Sequence, residues 1–264
     1  MTVGPAPRTD VVTTGSGVHL ERLVTGSGEP VTLFAHGAAG DIDSTRPLGS
    51  GVPGRRVFVH LRGHGGSDAP PGPWTIGDIA DDLLAAADAS GATRAVGVSL
   101  GAAALCRLAA ARPDRFDRLV LFLPAHLEGP RPRAATTVVE RLLALLAAGD
   151  AEGLAAALGR AVPAELRHTP AAEAYVRRRA RTLRLAPQLA TMPAEPAVQP
   201  AALAAVTAPV LVLGCHGDPI HPAAVAERLA AVLPNAELHL YPTPYPLWHD
   251  RADLRARIST FLAA

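Results

Sequence analysis

The chain has 264 residues, nearly half of them hydrophobic, and its basic and acidic side chains leave a formal net charge of +1. This length suits one α/β domain with a modest insertion, and the balanced charge argues against a surface for nucleic acid. The amino terminus lacks the basic start and apolar stretch of a signal peptide, and no segment has the length of a membrane span. We therefore expect a cytoplasmic protein without membrane contact. Cys106 and Cys215 fall on elements expected to lie apart, which predicts buried free thiols.

The first half of the chain alternates short apolar runs with stretches of helical spacing, a pattern typical of strands followed by helices. A hairpin is expected over 11–23, where two strand candidates flank the turn Gly15-Ser16-Gly17. Thr75 is placed to cap a helix that runs through Ser90. Further strands are expected at 31–35, 56–61, 92–98 and 119–123, and a second helix at 100–111.

The pattern changes between residues 125 and 207, where strand signals vanish and prolines recur. Short helices are expected there at 134–148, 150–160, 164–168 and 171–185. Strands at 208–214 and 237–241 then alternate with helices at 223–233 and 250–262. We therefore predict an α/β core of residues 1–124 and 208–264 with a mostly parallel central sheet flanked by helices, and a helical insertion at 125–207.

A Gly-x-Ser-x-Gly turn lies between the strand at 92–98 and the helix at 100–111. In this context Ser99 is expected on a sharp strand-to-helix turn, where the missing Cβ atoms of Gly97 and Gly101 relieve crowding. The hydroxyl of Ser99 would then be exposed above the sheet. The amide of Leu100 opens the helix and would point at the same space, which favours a negatively charged oxygen there. The pattern predicts a nucleophile with one oxyanion donor, whereas glycines that only punctuate a strand and a helix are the alternative.

From about Val18 to its end the sequence resembles the α/β-hydrolase fold family. The matching features are His36-Gly37 after a buried strand, the loop Arg62-Gly63-His64-Gly65-Gly66-Ser67, the turn around Ser99, the loop around Asp218 and a final amphipathic helix. These features are specific for the fold and much less specific for the reaction.

The resemblance implies a role for several residues. It makes the amide of Ala38, just after His36-Gly37, the second oxyanion donor, and it makes Asp218 the acid that orients a histidine. A turn without catalytic meaning is the alternative for His36-Gly37, and capping of the following helix is the alternative for Asp218. The resemblance also implies that the helical insertion is a lid that sets substrate choice and excludes water.

The proton acceptor for Ser99 is expected in the loop between the last strand and the last helix, where the resembling family keeps its histidine. His249 is the only histidine in that loop, so the order Ser99, Asp218, His249 agrees with the family's order. The position of the histidine within the loop differs, however. Relatives place a Gly-His pair early in this loop, at a position that corresponds to about Pro244 in this sequence. Either the proline-rich loop bends so that His249 reaches the serine, or the base is absent. The other histidines that would serve if they reached Ser99 are His64, His216 and His221, each of which also has a loop-packing role as its alternative.

Two further groups of side chains have a structural and a functional interpretation. His60 and His64 are four residues apart, but Gly63 makes a helical metal-binding face implausible, so packing within the loop is the favoured interpretation. Arg177, Arg178, Arg179 and Arg181 would form either a solvated helix face, which is the commoner case, or a surface for an acidic substrate.

The sequence therefore predicts acyl-transfer chemistry on an ester, a thioester or a related carbonyl of a small, largely apolar substrate. Ser99 would attack, His249 would move the proton, and Asp218 would orient the imidazole, with no metal and no cofactor. Two alternatives stay open: a non-hydrolytic cyclase, isomerase or lyase with an incomplete triad, and a binding protein whose lid closes on a small ligand. Only 4% of the residues are aromatic, so the pocket of such a binding protein would be mainly aliphatic. Beyond a small-molecule substrate we expect no nucleic-acid or membrane partner, and a monomer or a homodimer.

Overall fold

The computed structural model describes residues 9–128, 133–184, 192 and 195–264. Its centre is an eight-stranded sheet in the order β1-β2-β4-β3-β5-β6-β7-β8. The first two strands pair in antiparallel fashion, β2 is antiparallel to β4, and the remaining neighbours are parallel. The strands are β1 (Thr9–Thr13), β2 (His19–Thr25), β3 (Val31–Ala35), β4 (Arg55–Val59), β5 (Arg94–Val98), β6 (Arg118–Phe122), β7 (Val210–Cys215) and β8 (Ala236–Tyr241).

Helices cover both faces of this sheet. The described α-helices are α1 (Ile42–Thr45), α2 (Ile76–Ser90), α3 (Leu100–Ala111), α4 (Arg133–Ala147), α5 (Ala151–Gly159), α6 (Pro170–Arg184), α7 (Ala223–Val232) and α8 (Arg251–Ala263). One apolar layer lies between the sheet and α2, α3 and α7, and a second lies between the sheet and α1 and α8. Every residue of β3 and β7 is buried, as expected for central strands that are covered on both faces. None of the helices in the described ranges combines the length and apolar character needed to cross a lipid bilayer.

The predicted α/β architecture is confirmed, and most predicted elements are found within two residues of their expected bounds. Thr75 caps α2 as predicted: its hydroxyl accepts from the amide of Asp78, and the Asp78 side chain accepts from the amide of Thr75. The helix predicted at 164–168 is only a single 3₁₀ turn, Ala164–Leu166. Short helical turns at Ile42–Thr45, Arg46–Gly49 and Pro200–Ala205 were not predicted, because segments this short carry no helical period. Residue 185, the predicted end of α6, lies outside the described residues.

Three helices, α4, α5 and α6, lie between β6 and β7 and are called the helical segment below. They have an apolar cluster of their own, which includes Leu154, Leu158 and Leu183. One buried residue outside these helices belongs to the same cluster: Ala39, in the loop that follows β3. The helical segment therefore packs on a loop at the carboxyl edge of the sheet.

The two cysteines are free and buried, as predicted. Cys106 lies on α3, and Cys215 ends β7. Burial raises the pKa of each thiol to about 12, so both are protonated at neutral pH.

Candidate active site

Ser99 lies between the end of β5 and the start of α3 in a strained backbone conformation, with φ of 52° and ψ of −107°. A positive φ is uncommon for a residue with a side chain and persists where the surroundings enforce it. Backbone atoms of neighbouring elements lie very close to this turn. A Cβ on Gly97 would lie 2.7 Å from the amide nitrogen of Ala102, and one on Gly101 would lie 2.6 Å from the carbonyl oxygen of Ala35. The two glycines thus allow β3, β5 and α3 to converge tightly enough to make the turn.

Strained residues recur at the carboxyl edge of three adjacent strands. Ala39 follows β3 with φ of 51°, Ser99 follows β5, and Leu123 follows β6 with φ of 53°. In parallel sheets the loops at this edge form the usual binding crevice. The backbone strain therefore coincides with the place where the fold positions functional side chains.

His221, Asp218 and Ser99 form a continuous hydrogen-bonded chain. The Nε2 atom of His221 lies 2.9 Å from the Oγ atom of Ser99. The Nδ1 atom of the same ring lies 2.8 Å from the Oδ2 atom of Asp218. The side chains of Asp218 and His221 are about one-sixth exposed, so water reaches this chain only in part.

Asp218 also shapes the loop that carries His221. Its Oδ1 atom accepts hydrogen bonds from the backbone amides of Ile220, at 2.7 Å, and His221, at 3.2 Å. One carboxylate oxygen thus fixes the turn while the other fixes the ring. This explains how two residues only three positions apart can both belong to one hydrogen-bonded chain with Ser99.

The electrostatics of Asp218 define the tautomer of His221. Burial by itself raises the pKa of Asp218, but the His221 ring and the two backbone amides outweigh it and hold the pKa below its ordinary value. The carboxylate is therefore ionised at neutral pH and only accepts hydrogen bonds, so the Nδ1 atom of His221 carries the proton. The Nε2 atom is then free to accept the hydrogen of the Ser99 hydroxyl, as a general base must.

His249, the histidine expected to contact Ser99, lies elsewhere. Its Nε2 atom lies 2.9 Å from the Oε1 atom of Glu165, and both side chains are exposed. The neighbouring Trp248 donates its indole N–H to the carbonyl of Ala161 and packs edge-on against the Tyr175 ring. The loop between β8 and α8 therefore faces the helical segment, and the expected contact between His249 and Ser99 is replaced by that of His221.

The place near Pro244, where the register predicted a histidine, adjoins the loop of Asp218. A Cβ on Gly217 would lie 3.4 Å from the Pro244 ring, in van der Waals contact. Because the ring that contacts Ser99 comes from the β7–α7 loop itself, a proline at this place leaves the chain of hydrogen bonds intact. The sequence signal that points to His221 is its Asp-x-x-His spacing, since Asp218 can turn the chain back on itself.

The loop after β3 lies directly against Ser99, because a Cβ on Gly37 would approach the Ser99 Cβ to 3.1 Å. The carbonyl oxygen of Gly37 accepts hydrogen bonds from the Nδ1 atom of His36 and the amide of Gly40. A trans peptide directs its N–H opposite to its C=O, so the amide of Ala38 points out of the loop. Within the described ranges, neither this amide nor that of Leu100 donates to a protein acceptor.

Three histidine rings support this loop and its neighbours by accepting hydrogen bonds from backbone amides. His36, which is fully buried, accepts from the amide of Leu61, His64 accepts from the amide of Ala39 at 3.1 Å, and His60 accepts from the amide of Ile42. Burial is the main cause that lowers the pKa of His64 to about 4 and the pKa of His36 well below its ordinary value. His60 and His64 thus have the packing role that the sequence favoured. In the part of the chain that the structure describes, no three potential ligands are grouped to hold a metal ion.

The arginine cluster on α6 has two different faces. Arg177 and Arg181 are exposed, in accord with a solvated face. Arg178 and Arg179 instead turn towards the loop after β3: the Arg178 guanidinium lies 3.6 Å from Asp41, and Arg179 donates to backbone carbonyls of the loop. The sequence missed this contact, because no periodicity reports which loop a helix meets.

Comparisons with known proteins agree with this architecture. Residues 30–249 match the family described as the alpha/beta hydrolase fold. A hydrolase from Pseudomonas aeruginosa PA01 is 26% identical, with a TM-score of 0.78 over 98% of this chain and 100% of that one. An enol-lactonase from Burkholderia xenovorans LB400 and the esterase RhEst1 from Rhodococcus sp. ECU1013 are each 21% identical. Their TM-scores are 0.77 and 0.78, over 97% of this chain and 100% and 98% of theirs. No curated protein matches the sequence. Since the family match extends over most of its length, the chain belongs to the alpha/beta hydrolase fold family.

Proposed function

We propose that this protein is a serine hydrolase that cleaves an ester, a thioester or a related carbonyl compound of a small, largely apolar substrate. The observation that carries the proposal is the hydrogen-bonded chain from Asp218 through His221 to the Ser99 hydroxyl. A serine hydroxyl is a weak nucleophile near neutral pH, and a neutral imidazole within hydrogen-bond reach is what activates it. The names of the esterases and the enol-lactonase among similar structures are consistent with this class of reaction.

The proposed reaction has two halves. In the first, the Oγ atom of Ser99 attacks the substrate carbonyl carbon while its proton passes to the Nε2 atom of His221. The resulting imidazolium protonates the leaving group, and an acyl-enzyme remains on Ser99. In the second half, His221 removes a proton from water, the hydroxide attacks the acyl carbon, and the proton returns to Ser99 as the acid product leaves. Asp218 keeps the ring in the required tautomer and stabilises the imidazolium, and no cofactor is needed.

The amides of Ala38 and Leu100 are the proposed donors to the negatively charged oxygen of the tetrahedral intermediate. Their orientation supports this role, because both N–H groups are without a protein acceptor in the described part of the chain and both adjoin Ser99. The start of the twelve-residue helix α3 adds the positive end of its dipole at the same place. Donors preorganised in this way stabilise charge that exists only in the transition state.

The helical segment is the proposed lid, inserted between residues 1–124 and 208–264 of the core. Its contact with Ala39 puts the apolar cluster of Leu154, Leu158 and Leu183 beside the loop after β3 (residues 36–41), which is called the oxyanion loop below because it carries the Ala38 amide. An aliphatic surface of this kind favours small apolar acyl or alcohol groups and keeps water from the acyl-enzyme. The non-hydrolytic alternative, a cyclase, isomerase or lyase, was motivated by the absence of a histidine near Ser99. The contact of His221 with Ser99 removes that motivation.

The experiment combines turnover with covalent labelling. The wild-type protein is incubated with short-chain p-nitrophenyl esters and a simple alkyl thioester, and separately with a fluorophosphonate, with mass spectrometry to locate the adduct. We expect ester hydrolysis and a single adduct on Ser99, both lost in Ser99→Ala and both kept in Ser16→Ala, an exposed serine in the β1–β2 turn. A wild-type protein that neither hydrolyses the esters nor is labelled would overturn the proposal, as would full activity of Ser99→Ala.

A further inference from the structure

Helix α6 makes three hydrogen bonds to two consecutive carbonyl groups of the oxyanion loop. The Nη1 atom of Arg179 donates to the carbonyl oxygen of Ala38, at 3.1 Å, and to that of Ala39, at 2.5 Å. The hydroxyl of Thr182, which is buried, donates to the carbonyl oxygen of Ala39 at 2.6 Å. Bonds from a side chain to a carbonyl about 140 positions away are specific to this folded arrangement, since nothing local would produce them.

The same peptide groups are also held from the opposite side. The amide of Ala39 donates to the Nε2 atom of His64, so the peptide between Ala38 and Ala39 is fixed at its oxygen by Arg179 and at its nitrogen by His64. Ala39 has a positive φ of 51°, which is unfavourable for alanine without such constraints. The helical segment therefore supplies part of what keeps the loop in its strained conformation.

An apolar contact and an ion pair also join helix α6 and its neighbouring helices to the oxyanion loop. The methyl group of Ala39 belongs to the apolar cluster of the helical segment, and Arg178 lies 3.6 Å from Asp41 at the far end of the loop. A displacement of α6 would break the hydrogen bonds, the ion pair and the apolar contact together. The loop conformation and the seating of α6 are thus mutually dependent.

We propose that Arg179 and Thr182 are positioning residues that hold the oxyanion loop in its donor orientation, so that the oxyanion hole is complete only when α6 is seated. This inference rests on the proposed function, because it assigns the Ala38 amide to the tetrahedral intermediate. Neither side chain acts on the substrate itself. They act through the Ala38–Ala39 peptide, which shares the Cα atom of Ala38 with the peptide that carries the Ala38 N–H group, so a displacement of the first peptide turns the second.

The chemistry defines which kinetic constant changes. An oxyanion exists in the transition state and not in the bound ester, so an incorrectly oriented Ala38 amide lowers kcat while KM changes little. Loss of a complete oxyanion donor lowers kcat by about 10²- to 10³-fold, and a donor that is present but misplaced gives a smaller loss. A contact between Arg179 and the substrate would instead raise KM.

The test uses isosteric substitutions on α6 with a control on the same helix. Thr182→Val removes the hydroxyl and keeps the volume, Thr182→Ser keeps the hydroxyl, and Arg179→Met removes the guanidinium and keeps the length. We expect kcat for a p-nitrophenyl ester to fall roughly tenfold in Thr182→Val and roughly tenfold to hundredfold in Arg179→Met. KM should stay within about threefold, because ground-state binding does not use the oxyanion donor. Thr182→Ser should recover most of the loss, and Arg181→Met, at an exposed position, should match the wild type.

A second readout separates positioning from a general structural role. A trifluoromethyl ketone forms a charged tetrahedral adduct with the serine, so its affinity should fall in each variant by the same factor as kcat/KM. The melting temperature, measured in parallel, reports any loss of folded protein. Equal inhibitor affinity in wild type and variants, or an increase in KM with unchanged kcat, would overturn the inference. If the wild type itself neither hydrolyses esters nor forms the Ser99 adduct, it is the proposed function that fails. If the wild type is active and both variants keep its kcat, only the inference fails.

Discussion

Asp218 and His221 lie three residues apart on one loop, and their side chains meet at 2.8 Å while His221 also reaches Ser99 at 2.9 Å. Asp218 and His221 are therefore both presented by the loop after β7, and Ser99 by the turn after β5. The alignment of the three groups depends on two loops, and the loop between β8 and α8 is free to contact the helical segment.

His221 occupies the place beside Ser99 that was predicted for His249. Replacing each of the two histidines by alanine therefore gives a direct comparison. His221→Ala should lower kcat/KM for an ester by roughly 10³-fold or more, because removal of a triad base leaves only the oxyanion hole and substrate binding. His249→Ala should keep kcat/KM within a few-fold, since its ring pairs with the exposed Glu165, lies edge-on to Tyr245 and does not contact Ser99. Steady-state kinetics on p-nitrophenyl esters check both values. The reverse order of effects would mean that the β8–α8 loop supplies the base after all.

Substitution of Asp218 by asparagine tests the tautomer argument. The side-chain amide that Asp218→Asn introduces can donate to the ring, which favours the tautomer with its proton on Nε2, where it cannot accept from Ser99. We expect kcat to fall by roughly 10³- to 10⁴-fold with the fold intact. Asp88→Asn, at an exposed carboxylate paired with Arg115, is the control and should match wild-type kinetics. A loss of less than about tenfold in Asp218→Asn would show that the carboxylate does not orient the base.

The fold could be read from the sequence because its signals are local. The buried strands Val31–Ala35 and Arg94–Val98 are short apolar runs, and the capping box of Thr75 and Asp78 is a four-residue pattern. The turn around Ser99 is equally local, since it needs only a strand, two glycines and a helix. Elements with a clear hydrophobic pattern or a defined capping residue were therefore predicted with nearly correct bounds.

The histidine that contacts Ser99 could not be predicted in the same way. Its identity depends on how the β7–α7 loop folds back on itself. The hydrogen bonds from the amides of Ile220 and His221 to one oxygen of Asp218 determine that turn and so bring the His221 ring to Ser99. Neither the hydrophobic periodicity of the sequence nor the position that relatives give their histidine contains that information. The contact of Arg179 with the loop after β3 was missed for a related reason, because it joins residues that are 140 and 141 positions apart.

The tight approach of α3 to β3 predicts that Gly101 is intolerant of a side chain. A Cβ at this position would lie 2.6 Å from the carbonyl oxygen of Ala35, and backbone atoms cannot move aside as a flexible side chain would. Gly101→Ala should lower the free energy of unfolding by about 2 kcal/mol or more. Gly159→Ala, at the end of α5 with no atom within 4 Å of the new methyl group, should be neutral or slightly stabilising. Urea denaturation of the two variants beside the wild type makes the comparison, and equal stability of both would contradict the packing argument.

The two buried thiols should be inert in the native protein. Burial raises the pKa of Cys106 and Cys215 to about 12, so the reactive thiolate is scarce at neutral pH and the sulfur atoms are inaccessible. A disulfide reagent such as Ellman's should therefore release no colour from folded protein over minutes and two equivalents after unfolding in guanidinium chloride. Fast reaction of the folded protein would show that one of the thiols is accessible.

The buried His64, which accepts from the loop after β3, predicts a stability that decreases in acid. Protonation of His64 would place a donor on its Nε2 atom, opposite the Ala39 amide that donates to it, and burial lowers its pKa from 6.5 to about 4. The unfolded chain therefore binds the extra proton first, so this contribution to stability is fully present above pH 6.5 and is lost as the pH falls towards 4. The full loss for this residue is about 3 kcal/mol, and His36, whose pKa is also lowered, adds to it in the same direction.

Urea denaturation of the wild type and of His64→Gln between about pH 7 and pH 5 isolates the share of His64. We expect the free energy of unfolding to fall more steeply with decreasing pH in the wild type, because glutamine has no proton to bind in this range. His168→Gln, at an exposed position in the turn before α6, is the control and should keep the pH dependence of the wild type. Parallel curves for the wild type and His64→Gln would mean that His64 does not remain neutral in the folded state.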